Sequence, residues 1–242
     1  KAMATAIGKW MNRYGKAVYA CDYAGFEKHN KEILLSYGLT SLETHMKEDF
    51  RYTGNLVVSD DLLALYSEDD LRLTNYFKNT IGNQTRPTNK QYSVYTPIKW
   101  TKNSATVYAN ALRISEAYLN RAEAFAELGN TNKALADLNE LRENRMKPGT
   151  PPLAVDEDGI VATVRKERRR ELAFEGFRWF DLRRYGMPQL EHILIDQNGN
   201  STRYILKEKD PSYVLPLPDN AMEHNSNLIQ NELSPRREGS AM

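Results

Sequence analysis

Apolar positions repeat most regularly between Ala111 and Leu128. Ile114, Ala117, Tyr118, Ala122, Phe125 and Ala126 recur there at the three-and-four spacing of one helix face. Gly129 follows, the residue type that ends a helix in the left-handed conformation. Asn130 or Thr131 then caps a second helix, whose stripe is Ala134, Leu135, Leu138, Leu141 and Met146. Pro148, Gly149, Pro151 and Pro152 close it. So short a turn makes the two helices antiparallel neighbours. A third helix is predicted over Ile160 to Glu175 and a fourth over Phe177 to Tyr185, with Gly176 between them. His192 to Ile195 and Thr202 to Leu206 flank an Asn-Gly turn and predict a β-hairpin. Tyr213 to Leu217 reads as extended, and the polar tail from Asn225 as surface chain.

Before Ala111 the pattern is weaker. Helices are predicted over Ala2 to Ala20, Glu27 to Leu35 and Thr40 to Asp49. Ser59 precedes Asp60 and Asp61 and predicts a capped short helix. Glu68 to Arg72 reads as a polar turn, and 80–105 as a long loop with a short strand over Tyr92 to Thr96. In the strong helix pair, small residues at Ala122 and Ala134 permit close approach, while Phe125 and Leu138 fill the space between. This arrangement resembles one tetratricopeptide (TPR) unit. One such unit cannot bury its outer face, so it needs partners from elsewhere in the chain.

The run Val164 to Gly176 interleaves arginines with Glu167, Glu171 and Glu175, which stand one helical turn apart. Stacked carboxylates repel phosphate and one another unless guanidinium groups answer them. The run, with Arg178, Asp181, Arg183 and Arg184 after it, reads as an internal ion-pair network locking the third helix to the fourth. It does not read as a phosphate-binding surface.

The same residues carry a family resemblance. Glu167-Arg168-Arg169-Arg170-Glu171-Leu172, then Glu175-Gly176-Phe177-Arg178-Trp179-Phe180-Asp181-Leu182-Arg183-Arg184-Tyr185-Gly186, resembles the signature of the SusD/RagB family. Further stretches fit in family order: Leu65-Tyr66 with Asp69-Asp70-Leu71-Arg72, the helix Leu112 to Ala124, and Tyr213 to Pro218 followed by Asn225 and Gln230-Asn231. Glu167, Arg168, Glu171, Glu175, Arg178, Asp181 and Arg184 are the structural signature. The resemblance implies a mostly α fold of TPR-like helix pairs with long loops and a small β-hairpin. It implies a surface-exposed outer-membrane lipoprotein of Bacteroidetes that captures glycans or other nutrients. Its partner would be a SusC-like TonB-dependent transporter. Residues 1–50 are read as a helical segment of that fold and 51–242 as its C-terminal region. The lipid anchor and leader of the family are expected outside this stretch. Cys21 lacks the apolar run of a lipidation site and reads as a small buried hydrophobe.

Composition narrows the chemistry. The 242 residues carry 33 basic and 32 acidic side chains, a formal charge of +1, which argues against a wholly basic nucleic-acid surface. One cysteine excludes an internal disulfide framework. His29, His45, His192 and His224 show no metal-ligand spacing, and no nucleophile or phosphate-loop motif occurs. The expectation is therefore a binding protein without catalysis, cofactor or metal. Fourteen tyrosines stand against seven phenylalanines, an excess of rings with a polar tip. Sugars stack on such rings, and Tyr19, Tyr23, Tyr37, Tyr52, Tyr92, Tyr95 and Trp100 are the candidates by position. Trp179 and Tyr185 lie inside the signature and are assigned to packing. The rival reading is a TPR-type scaffold that binds a peptide or protein.

Overall fold

The computed structural model describes residues 32–37, 58–81, 93–99, 110–195, 200–234 and 238–241. The helices expected over 2–20 and 40–49 lie outside them. The chain divides into two bodies, with the boundary between Glu175 and Gly176.

The first body contains β1 (Ile33–Tyr37), α1 (Asp60–Leu63), α2 (Arg72–Tyr76), β2 (Phe77–Ile81), β3 (Ser93–Pro97), β4 (Asn110–Arg113), α3 (Ile114–Glu127), α4 (Thr131–Arg142) and α5 (Ile160–Glu171). The α3–α4 pair forms where the apolar stripes predict it. Gly129 takes φ +71° between the helices, and Asn130 holds the N-cap position without a side-chain capping bond. Tyr118, Leu119, Ala122 and Ala126 of α3 are buried, as are Ala134, Leu138 and Leu141 of α4 and Val164 of α5. Each buried Leu contributes on the order of 2 kcal/mol from transfer out of water. Polar groups tie the same pair: Arg121 Nε donates to Asp137 at 2.8 Å, and the Tyr118 hydroxyl to Glu140 at 2.9 Å. Phe125, expected between the helices, is only half-buried, and the Lys133 ammonium lies 5.4 Å from its ring centroid.

Three expectations change here. The helix predicted over Glu27 to Leu35 is replaced, where described, by a turn at Glu32 and strand β1. β1 pairs antiparallel with β4, from Ile33 opposite Arg113 to Tyr37 opposite Asn110. That pairing also removes Ala111 to Arg113 from the start of the predicted helix. A short apolar run reads as strand or helix from local pattern alone, and here a distant partner decides. The third change is at α5, which stops at Glu171 rather than Glu175, and Phe174 then turns with φ +62°. A second apolar cluster forms from Val58, Leu62, Tyr66, Tyr76, Phe77 and Ala173. β2 and β3 pair across it, with Phe77 opposite Pro97.

The second body contains α6 (Phe177–Arg184), β5 (Leu190–Ile195), β6 (Ser201–Leu206), α7 (Asp219–His224) and β7 (Ser240–Ala241). Gly176 enters α6 at φ +80°. β5 and β6 form the predicted hairpin, with Leu190 opposite Leu206 and Ile195 opposite Ser201. Tyr213 is not in an extended piece. Pro211–Tyr213 is a 3-10 turn capped by Asp210, whose carboxylate accepts from Ser212 N at 2.9 Å. Its ring is fully buried, stacks on Trp179 at 4.9 Å between centroids, and its hydroxyl donates to Pro188 O. The tail is largely exposed as expected, yet fastened. The Gln230 side chain accepts from Leu217 N at 2.7 Å and donates to Leu217 O at 3.0 Å, and Asn231 donates to Leu215 O at 2.8 Å.

Candidate functional site

The densest chemistry among the described residues is a buried hub of charges around Glu171. Residues on one face of α5 aim Glu167 and Glu171 inward, and both are 0% exposed. Glu171 Oε2 accepts from Arg72 Nη1 and Arg145 Nε, each at 3.0 Å, and Oε1 from Arg145 Nη2 at 3.0 Å and Arg113 Nη1 at 3.3 Å. Glu167 Oε1 lies 2.7 Å from Arg72 Nη1, while its Oε2 accepts from Arg142 at 3.1 Å and from Arg170. Glu175, past the helix end, accepts from Arg113 Nε at 3.0 Å and from Lys99. Glu32 accepts from Arg145 Nη2 at 2.9 Å, and Asp70 grips Arg72 through both oxygens at 2.9 and 2.8 Å.

The predicted network therefore exists as chemistry, but its partners differ. The answering cations are Arg72, Arg113, Arg142, Arg145, Arg170 and Lys99, drawn from α2, β4, the end of α4 and the turn after it, α5, and the second residue after β3. Within the first body these groups form a hub on which that body closes. The physical reason is reach. Carboxylates on an inward helix face meet whatever cations the tertiary fold brings, and of the arginines on α5 itself Arg170 reaches Glu167. Of the other signature residues, Arg168 donates to Asn120 at 2.8 Å. Asp181 accepts from Arg184 within α6 at 2.9 Å, and Arg178 is exposed, its charge acting on the Tyr213 phenol.

Protonation follows the geometry. Burial opposes ionisation of Glu167, but Arg72, Arg170 and Arg142 overcome it and bring its carboxyl down to about 2. Burial opposes Glu171 too, and Arg145, Arg113 and Arg72 hold it well below the ordinary carboxylate range. Burial pushes the Lys99 ammonium down to about 8 against the pull of Glu175, with Arg113 adding to the fall. Lys99 remains fully engaged: Nζ donates to Glu171 O at 2.8 Å and Ala173 O at 3.3 Å, and lies 4.0 Å from the Tyr76 ring centroid. Every acid in the hub faces guanidinium or ammonium groups and none faces open space. Such a hub specifies geometry more than it adds net stability.

Of the sequence-predicted binding rings, Tyr37 and Tyr95 fall among the described residues. Tyr19, Tyr23, Tyr52, Tyr92 and Trp100 lie outside them. Tyr37 ends β1 opposite Asn110. Tyr95 sits in β3, half-buried against the Val58–Phe77 cluster, and its carbonyl accepts from Val58 N at 3.1 Å. Glu32, Lys99 and Arg145 were not singled out from the sequence. Arg72 and Arg113 stand inside the family-like stretches Asp69–Arg72 and Leu112–Ala124, where the sequence alone gives them no role. An isolated basic residue among apolar neighbours, as at Ile98-Lys99-Trp100, was the available signal. No group of three or more metal-ligating side chains occurs among the described residues.

Fold and hub together define a class: a helical-hairpin scaffold with a small antiparallel sheet, organised on a buried arginine–glutamate centre. The SusD family profile matches residues 43–233, and the chain belongs to that family. SusD-like protein P2 of Formosa agariphila is 33% identical over 137 residues, covering 54% of this chain and 26% of that protein. SusD-like protein P38 of the same organism is 30% identical over 141 residues, covering 55% and 23%. A SusD superfamily protein from Bacteroides thetaiotaomicron shares the fold at TM-score 0.67 and 20% identity, over 96% of this chain and 60% of its own. A SusD-like carbohydrate binding protein from Bacteroides vulgatus does so at TM-score 0.63 and 20% identity, over 93% and 54%. The matched stretch thus spans about a quarter of the curated relatives, and the chain just over half of these solved structures.

Proposed function

We propose that the protein is a non-catalytic, surface-exposed binding protein of the outer membrane that captures an oligosaccharide or polysaccharide for import through a SusC-like TonB-dependent transporter. The observation that carries this reading is membership of the SusD family over residues 43–233. The carbohydrate-binding description of the Bacteroides vulgatus relative supports the ligand class. Tethering to the membrane would be through a lipid, as the family resemblance implies; no helix among the described residues is long and apolar enough to cross a bilayer. Tyr19, Tyr23, Tyr37, Tyr52, Tyr92, Tyr95 and Trp100 are the proposed ligand contacts. Stacking on a ring face with a few oriented polar groups is the general form of a small-molecule site. Calorimetric titration of the full-length protein against a panel of glycans tests the reading. Saturable binding to at least one glycan, weakened by Trp100→Ala or Tyr95→Ala with an unchanged melt, supports it. Absence of binding across the panel overturns it in favour of a peptide-binding TPR-type scaffold.

A further inference from the structure

Glu32 differs from the other hub carboxylates in how it arrives. Among the described residues it alone reaches the hub from ahead of the matched stretch 43–233, on the turn that leads into the short strand β1. It is 1% exposed. Arg145 Nη2 donates to both of its oxygens, at 2.9 and 3.0 Å, and Arg113 Nη1 to Oε2 at 3.3 Å. Its carbonyl accepts from Ile114 N, at the start of α3, at 2.9 Å. Beyond it, β1 has only β4 as a strand partner, and the register shifts between Ile33 and Leu35. A ribbon of two strands is marginal in water unless something pins it. Glu32 pins this one at its end.

Charge and preorganisation define the place that its carboxylate fills. Without Glu32, the cations Arg72, Arg113, Arg142, Arg145, Arg170 and Lys99 would be answered only by Asp70, Glu167, Glu171 and Glu175. Arg145 and Arg113 keep their aim by other bonds. Arg145 holds Glu171 through Nε and Nη2, each at 3.0 Å, and Arg113 holds Glu171 at 3.3 Å and Glu175 at 3.0 Å. Two buried guanidinium groups, held in place and short of negative charge, suit a carboxylate. We propose that β1 is a strap fastened by Glu32, and that the place its carboxylate fills is a small-anion site of the hub, which takes a free carboxylate once Glu32 is withdrawn. In the resting protein the strap occupies its own site.

Glu32→Ala in the full chain tests both halves, with the unaltered protein as baseline. Amides that pair β1 with β4 should exchange at least about tenfold faster, while those of Leu119 and Ala122 in α3 keep their protection. Sodium acetate, compared with sodium chloride at equal concentration, should raise the melting temperature of Glu32→Ala saturably by at least about 3 °C. It should not raise that of the unaltered protein, whose site is filled. The β1 amides should stay fast in acetate, because a free anion tethers no chain. Glu32→Gln, which fills the place without charge, should loosen the strap and respond little to acetate. Unchanged β1 exchange in Glu32→Ala overturns the strap, and so does its full recovery in acetate. Equal action of acetate and chloride overturns the anion site, as does a Glu32→Ala protein that is unfolded in both salts.

Discussion

Two parts of the first body reach burial by opposite means. Between α3 and α4 the filling is aliphatic and small: Leu119, Ala122, Ala134, Leu138 and Leu141 are each at most 1% exposed. Around Glu171 the filling is ionic, with Arg72, Arg113 and Arg145 at most 2% exposed. The aliphatic contact gains free energy from every methylene removed from water and does not depend on direction. The hub gains little net, because desolvation of the ions offsets most of their attraction, but it is specific. Four segments must arrive together for Glu171 to be answered in full. The helix pair supplies stability that tolerates exchange of similar shapes, and the hub supplies a geometry that tolerates almost none.

The largest expected effect breaks the hub. Glu171→Ala leaves Arg72, Arg113 and Arg145 without their shared acceptor and should cost about 3–5 kcal/mol, the typical loss for removing one partner of a buried ion pair. Leu138→Ala should cost a similar 2–5 kcal/mol, about what other buried leucines lose. The comparison is sharpened by the gentle versions. Leu138→Met conserves volume and should cost below about 1.5 kcal/mol. Glu171→Gln conserves shape yet should remain close to the alanine loss. Urea unfolding of the four variants measures this, and a Glu171→Gln protein as stable as Leu138→Met would erase the distinction.

Acid separates the two regions next. Glu167 has a folded value of about 2 against 4.5 ordinarily, so it contributes stability that is complete above pH 4.5 and lost as pH falls towards 2. Thermal melts of the unaltered protein should therefore drop steeply across that window. Glu167→Gln should start lower at neutral pH and fall less, so that the gap between the two closes by pH 2 to 3. A gap of constant size would show that Glu167 is not held ionised by Arg72, Arg142 and Arg170.

A smaller effect lies on the helix pair itself. Arg121 and Asp137 bridge α3 and α4 through two contacts, with both side chains partly shielded. Burial raises the Asp137 carboxyl even though Arg121 opposes it, so desolvation consumes part of the attraction. A double-mutant cycle with Arg121→Ala and Asp137→Ala should give a coupling near 1 kcal/mol, well below the loss at Glu171. Coupling above that of the hub would reverse the ranking of the two regions.

The same contrast explains what was legible in the sequence. Ala122, Ala134, Leu138 and Gly129 declare themselves because helical period and turn chemistry are local. The hairpin at β5 and β6 was readable for the same reason. β1 was not, because Ile33-Leu34-Leu35 becomes a strand only by meeting Asn110 to Arg113. The hub was half legible. Its carboxylates sit in one motif at one-turn spacing, but Glu32, Lys99 and Arg145 are scattered singly and join only through the tertiary fold. Tyr213 looked extended between prolines because nothing local announces that Trp179 stacks on it. The candidate binding rings rest on position alone, which carries no packing information; Tyr95 is partly buried against the Val58–Phe77 cluster.

The smallest expected effect sits on the outside of the same helices. Glu127 at the end of α3 accepts from Arg165 of α5 at 3.2 Å, with 55% of the glutamate and 36% of the arginine side chain exposed. This pair joins α3, one helix of the aliphatic contact, to α5, which carries the hub carboxylates, and its geometry resembles that of a hub contact. Water makes the difference. At such exposure the attraction is screened, and holding two long side chains in one geometry costs entropy, so Glu127→Ala should change stability by no more than about 0.5 kcal/mol. The change should shrink further in 1 M salt, where charges are screened within about 3 Å, whereas the cost of Glu171→Ala should persist. A salt-insensitive loss above 1 kcal/mol at Glu127 would mean that ion pairs in this body owe their worth to something other than burial.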